Sequence, residues 1–536
     1  RGTDGAAGSA ARDAEHDRYL ADTARLRAGI RRRLPALVRP PRIPPVGRLV
    51  VTSALIGWAL GVGRLADRVF RPRLGHEQRR ARTYRRLRRA AERLGPSYIK
   101  LAQLIAAGEG VFPDALVAEC RACRDRVPAL EWGRIRRVLE ADLGPLHERF
   151  AGIDPTPLAA ASIAQVHAAT LADGTPVVVK VQRPRIARRI ERDIAVLAWA
   201  APRLVGRIPI AALANPPALV DLFAETISEE LDFRVEVANL IEVDRALRAG
   251  TARARSGTGA GTGAAWHLPD PRLDAVTKRV IVMSRVPGRP LSELRAEDLP
   301  AGTAAAVFGR MTDALLEGTC VHGVFHGDFH AGNVFVDEHG TVGLVDFGIT
   351  GRLEGARRIA FLRYVIGLLT GDVAAQVEGM ADLGAFAPGA DVSRLVADLG
   401  LDRPDFDPLE LTEEEFVSEF RALISGLLAS GARIPKELML FIKNFAYMTS
   451  VVGALDPDMD ILAQFERTAT SFVARNGVRM AGEIGFAVRP DHVTEAALRQ
   501  AMGVSTAERE VTWRLLRRRR AEMTERIAAA PPARAS

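Results

Sequence analysis

Lysine is nearly missing from this chain of 536 residues. Lys and Arg together number 74, yet lysine stands only at positions 100, 180, 278, 436 and 443. Compositional bias has turned most basic positions into arginine, and a guanidinium does not replace an ammonium group at a tight phosphate contact. A lysine retained inside a motif is therefore informative. Lys100 and Lys180 lie in such stretches, whereas Lys278, Lys436 and Lys443 have no such surroundings in the sequence. Cysteine is also scarce, with Cys120, Cys123 and Cys320 alone. So few thiols exclude a disulfide scaffold and suit a reducing compartment. Cys120-x-x-Cys123 has no second pair to complete a tetrahedral zinc site, so a coincidence of helical spacing explains it. Aromatic residues make up 6% of the chain, and the arginines near the N-terminus alternate with Leu and Ala instead of stacking rings. Nucleic acid is disfavoured as a partner on that ground.

Acidic residues are short in one region only. Residues 1–100 carry 24 Lys and Arg against 8 Asp and Glu, a net of +16, while the remainder carries 50 against 57, a net of −7. A basic block of this kind suits anionic lipid or forms a solvated face. No uncharged apolar run of bilayer length accompanies it. The stretch LVVTSALIGWALGVG, residues 49–63, is fifteen residues long, against the roughly 20 a spanning helix needs. Its alternatives are an interfacial helix with Arg48, Arg64 and Arg68 at lipid headgroups, or burial against the protein body. Residues 1–45, polar and ending in RPPRIPP, read as a frayed tail or short helix.

What is present is a set of oxygen-bearing side chains at telling intervals. In VFHGDFHAGNVFVDEHGTVGLVDFG, residues 324–348, Asp328 and Asn333 are five apart and Asp346 follows thirteen later. The spacer between Asn333 and Asp346 is two apolar runs around the polar turn 337–340, the pattern of a β-hairpin. A hairpin returns Asp346 to the side of Asn333. An amide oxygen and a carboxylate placed so suit Mg²⁺, a hard cation that shares its ligands with substrate phosphates. Asp328, on the loop before the hairpin, stands where a base meets an incoming hydroxyl.

Upstream, VVVK ends a buried strand at Lys180, after a hairpin closed by Asp173–Thr175. A lysine there holds α- and β-phosphates and needs a helix carboxylate to orient it. Glu230, Asp232 and Glu236 are the candidates, with Glu236 on the helical face of Asp232. Glycine is missing where a phosphate-covering loop normally has it. PLAAASIAQVH, residues 157–167, offers Ala159, Ala160 and Ala161 instead, with less backbone freedom, and Ser162 as a hydroxyl donor to phosphate. A strand at residues 280–283 ends in Met283, the remaining nucleotide-binding candidate. Residues 250–267 read as a Gly/Ala/Thr-rich disordered loop, and residues beyond 351 as nearly all helical. KELMLFIKNFAYMTSVVGAL, residues 436–455, reads as a buried core helix.

Together AAAS, VVVK, ELD with Glu236, HGDFHAGN, DFG and KLAQ (residues 100–103) resemble the UbiB/AarF-like family of atypical kinases, from about residue 95 to residue 457. The family's Lys-x-Gly-Gln stands here as Lys100-Leu-Ala-Gln103, with Ala102 for glycine. The resemblance implies an α+β, two-lobed protein-kinase-like fold. Taken with the composition, it divides the chain into a basic tail at 1–45, a helical extension at 46–150, an N-lobe at 151–287, a mostly helical C-lobe at 288–480 and a helical tail at 481–536. It makes Glu236 the partner of Lys180, and Lys100, Gln103, Glu230 and Asp232 a family motif over the nucleotide cleft. ATP or ADP with Mg²⁺ is the implied cofactor, and support of quinone synthesis at a membrane, by a cytoplasmic and peripheral protein, the implied role; the Arg- and Ala-heavy composition suggests a bacterial source. After Asp346 no Ala-Pro-Glu anchor follows before the next helix, so a protein substrate is disfavoured. HGDFHAGN also resembles small-molecule phosphotransferases acting on aminoglycosides and choline, the alternative activity. A nucleotide-sensing scaffold is the third.

Overall fold

In the run Pro176–Gln182, β-branched residues fill successive positions and a strand buried on both faces results. Val177, Val179 and Val181 pack with Ile135, Val138 and Leu139 of the helix Trp132–Leu143 on one face. Val178 turns to the other face, against Phe233, Val237 and Ile241 of the helix Phe233–Ser256. The two-residue period sends Lys180 to that second face as well. This strand, β3, lies in an antiparallel sheet ordered β1 (Phe150–Ala160), β2 (Ala164–Leu171), β3 and β4 (Val280–Ser284). The β2–β3 turn forms because Asp173 Oδ1 accepts from Thr175 N at 2.8 Å and Gly174 takes φ +86°, a left-handed conformation open to glycine.

The computed structural model describes residues 3–71, 75–107, 114–123, 128–204, 216–256, 266–300, 302–386, 394, 435–485, 488–502, 504 and 508–529. They divide into two units, residues 1–241 with 269–285, and residues 242–268 with 286–536.

Three expectations about the first unit and its border change. Residues 1–45, expected as a frayed tail or short helix, contain one helix of 35 residues, Thr3–Leu37. A few contact residues within a polar sequence hold it. Tyr19 and Leu20 join the cluster around Phe233, and Leu34 and Leu37 join that around Ile190 and Phe223. Arg27 Nη2 donates to Asn239 Oδ1 at 2.7 Å.

The apolar run at residues 49–63 belongs to a longer helix, Val46–Phe70, of 25 residues and therefore long and apolar enough to cross a membrane by length and composition. Charge alone does not stop a helix, so it continues through Arg64 and Arg68. Arg48 is tied to the protein itself. It pairs with Asp193, which is fully buried on the helix Ile186–Leu204, and donates to Leu94 O at 2.6 Å. Asp193 also accepts from Ser97 Oγ at 2.5 Å. Replacing Asp193 by alanine strands the Arg48 guanidinium, and the expected loss of about 3–5 kcal/mol is read as a lowered melting temperature.

Lastly, the helix Phe233–Ser256 runs through residues expected in the Gly/Ala/Thr-rich loop, because Ala252, Arg253, Ala254 and Arg255 are good helix formers. Residues 257–265 of that stretch lie outside the described residues.

In the second unit, β5 (Arg289–Pro290), β6 (Val324–His326), β7 (Val334–Val336), β8 (Val342–Leu344) and β9 (Thr350–Arg352) make a three-stranded sheet, β5-β7-β8, and a pair, β6-β9. Around them pack the helices Thr303–Leu316, Ala356–Thr370, Lys436–Leu455 and Ile461–Ile484, with Phe308, Phe361, Met448 and Phe472 fully buried. Lys436–Leu455 buries Leu438, Phe441, Met448, Val452 and Leu455 at helical spacing, the amphipathic stripe of a core helix. It too is long and apolar enough to span a membrane, with half of its window buried.

Candidate active site

The second unit gathers Asp328, Asn333 and Asp346. Residues 334–336 and 342–344 pair antiparallel in register, and Val345 N donates to Asn333 O at 3.0 Å. The hairpin thus brings Asn333 and Asp346 to its open end. Its turn is fixed by Asp337, whose Oδ1 accepts from His339 N at 2.9 Å and Thr341 N at 2.8 Å. Asp346 takes φ +62°, a conformation uncommon outside glycine. Asn333 Nδ2 donates to Asp328 O at 3.1 Å, which leaves its amide oxygen as the acceptor end of the side chain.

His326 organises the loop before the hairpin. Its Nδ1 accepts from Asp328 N at 3.1 Å, so Nε2 carries the proton and donates to Val345 O at 3.2 Å. The ring stacks on Phe329 with centroids 5.3 Å apart and meets Phe347 edge-on at 5.0 Å. Burial lowers its pKa below the ordinary histidine value, which favours the neutral ring this pattern requires. At Asp328, burial works against the charge, but Lys443 and His330 outweigh it and hold the carboxyl below the ordinary aspartate value. Lys443 Nζ lies 2.8 Å from Asp328 Oδ1. Its neighbour Asn444 accepts from Phe329 N at 2.9 Å and donates to His326 O at 2.6 Å.

These last two residues were missed. Lys443 has no motif around it in the sequence, because a contact from a distant helix leaves no trace in spacing. Lysine scarcity was the signal that would have found it.

The oxygen set fits Mg²⁺. One amide oxygen and one carboxylate are hard ligands, and a cation of this kind fills its remaining positions with phosphates and water. Among the described residues no group of three or more His, Cys, Asp or Glu side chains gathers as a metal site, so an all-protein cage is not what these residues build. Beyond Asp346 the chain enters β9 directly, pairs with β6, and starts the helix Ala356–Thr370.

The first unit holds the lysines. Lys180 Nζ sits 2.6 Å from Glu236 Oε1, with side chains 13% and 8% exposed, and 5.5 Å over the Phe233 ring. Lys100 Nζ lies 3.0 Å from Glu230 Oε2. Gln103 is half-buried three residues along the helix Pro96–Ala107.

Glu230, Asp232 and Glu236 do not share one helix. Pro216–Glu230 ends before Asp232, and Glu236 lies in the first turn of Phe233–Ser256. Asp232 accepts from Arg234 N at 3.2 Å and pairs with its guanidinium at 2.7 Å. An aspartate that caps the next helix interrupts the run.

Ala159 and Ala160 close β1 against Val166 and Gln165, and Arg183 Nε donates to Ala161 O at 2.9 Å. No residue of this loop has positive φ, so alanine serves there without strain. Ser162 differs from expectation. It is fully buried, and its Oγ has no hydrogen-bond partner among the described residues, so a phosphate contact from it requires the loop to move. Met283 faces Val178 across the sheet within the Phe233 cluster. Ala102 packs with Ile99, Cys120 and Cys123. Both cysteines are buried.

An antiparallel sheet with its lysine–glutamate pair, and a helical unit that gathers Asp328, Asn333 and Asp346, are the parts of an atypical kinase-like protein of the phosphotransferase class. A family model for the ABC1 atypical kinase-like domain matches residues 122–380. The chain belongs to the UbiB/AarF-like family of atypical kinases and has its α+β kinase-like fold. An uncharacterised protein of Mycobacterium tuberculosis is 31% identical over 441 residues, 81% of this chain and 85% of that one. A probable protein kinase UbiB of Marinobacter nauticus is 32% identical over 273 residues, 50% of this chain and 48% of its own length. An uncharacterised aarF domain-containing protein kinase of Arabidopsis thaliana is 26% identical over 429 residues, 73% of this chain and 76% of that one.

Proposed function

We propose that the chain binds Mg²⁺·ATP and turns it over as an ATPase or small-acceptor kinase that serves isoprenoid-quinone or lipid metabolism at a membrane surface. The observation that carries this is the β7–β8 hairpin, with Asn333 and Asp346 at its open end and Asp328 on the loop bonded to it. Bound there, Mg²⁺ would neutralise phosphate oxygens. Lys180, held by Glu236, would bind the α- and β-phosphates, and Asn333 with Asp346 would hold the metal. Asp328 would orient water or a small hydroxyl at the γ-phosphorus. The new P–O bond forms to that oxygen, the bond to ADP breaks with its electron pair leaving on ADP, and the acceptor proton passes by Asp328 to solvent.

Phosphate release from Mg²⁺·ATP by the purified protein tests the reading. Release that anionic vesicles stimulate supports it. Turnover only with an added aminoglycoside or amino alcohol supports the small-molecule kinase instead, and binding without turnover supports a nucleotide-sensing scaffold.

The membrane half of the proposal rests on the helix Val46–Phe70. Val50, Val62, Leu65, Val69 and Phe70 are each more than half exposed, and the neighbouring helix His76–Leu94 is rich in arginine. An apolar face beside a basic one suits an anionic lipid surface. Val62→Glu with Val69→Glu is expected to weaken co-sedimentation with anionic vesicles by about tenfold or more, with phosphate release in their absence unchanged.

A further inference from the structure

The Lys443–Asp328 pair is costly for a merely structural contact. Lys443 is 10% exposed and Asp328 19%, so the carboxylate keeps a route to water while the ammonium group is nearly withdrawn from it. A buried ion pair seldom stabilises a fold better than apolar side chains of similar volume. Nor is the pair needed to hold the loop. Asn444, fully buried beside it on the same helix, already grips backbone groups on both sides of Asp328, at His326 O and Phe329 N. Lys443 adds what an anchor does not require, a positive charge at the Asp328 carboxylate. It also lies 5.4 Å over the Tyr447 ring, which confines the ammonium group to that side.

We propose that Lys443 is a positioning residue for phosphoryl transfer, its ammonium group fixing and neutralising the Asp328 carboxylate. The acceptor oxygen is then oriented beside the incoming phosphoryl group without two anions facing each other. This rests on the Mg²⁺·ATP reading above. It extends the active-site loop to the helix Lys436–Leu455, more than a hundred residues further along the chain.

Wild type, Lys443→Met, Lys443→Arg, Asp328→Asn and the Asp328→Asn/Lys443→Met double variant are compared by phosphate release over a range of ATP concentrations, with melting temperatures recorded alongside. Lys443→Met is expected to lower kcat about 10–100-fold with KM for ATP within about twofold, because ground-state nucleotide binding does not use it. Lys443→Arg recovers part of that loss, since the charge is kept. In the double variant the Lys443 change adds nothing to the Asp328→Asn loss, as expected of groups acting as one unit. Unchanged kcat in Lys443→Met overturns the proposal. So do losses that multiply in the double variant, or equal losses in Met and Arg variants that follow the melting temperature. A wild type that releases no phosphate overturns the enzymatic reading itself, and this inference with it.

Discussion

Asp346→Asn is expected to cut phosphate release from Mg²⁺·ATP by about 10³-fold or more, the scale of losing several kcal/mol of metal-borne charge stabilisation. Asparagine preserves shape and, like aspartate, tolerates the left-handed backbone found at φ +62°, so the variant should fold and melt as wild type. Chelating Mg²⁺ from the wild type should have the same effect as the substitution. Asp346→Gly separates backbone from carboxylate. It relieves the positive-φ cost, so melting temperature holds or rises while turnover is still lost. An Asp346→Asn protein that hydrolyses ATP at the wild-type rate removes the metal assignment, and with it the reading of the hairpin as a phosphoryl-transfer site.

The hairpin was legible because it is local. Alternating apolar runs around an Asp-Glu-His-Gly turn fix strand length and register within fourteen residues, so Asn333 and Asp346 meet whatever the rest of the chain does. Lys180 was legible for a similar reason, since the period of a buried strand assigns each side chain a face. What stayed hidden depends on contacts distant in sequence. Lys443 and Asn444 reach Asp328 and its loop from another helix, and nothing in LFIKNF announces that. Thr3–Leu37 has the composition of a solvated segment, while Tyr19, Leu34 and Leu37 decide its packing. The helix Val46–Phe70 outruns its uncharged stretch because Arg48, Arg64 and Arg68 lie within it. The break at Asp232 was also missed, although an aspartate before Phe-Arg-Val-Glu is an N-cap signal.

Lys180→Arg should reduce kcat/KM for ATP about 100-fold or more while leaving the fold intact. Arginine keeps the positive charge opposite Glu236, so the 8%-exposed carboxylate is not left alone. Yet the planar guanidinium is longer and cannot place a point charge between α- and β-phosphates. Lys180→Met makes the converse test. It strands Glu236, at an expected cost of about 3–5 kcal/mol in stability, and a second change, Glu236→Gln, should restore most of the melting temperature without restoring turnover. Stability and activity then separate across three variants of one ion pair. In a chain with 5 lysines among 74 basic residues, drift toward arginine has met nearly every position where charge alone suffices. If Lys180→Arg turned over ATP as wild type does, the retained lysine would have no phosphate to explain it, and the pair with Glu236 would be a structural contact in the sheet's core.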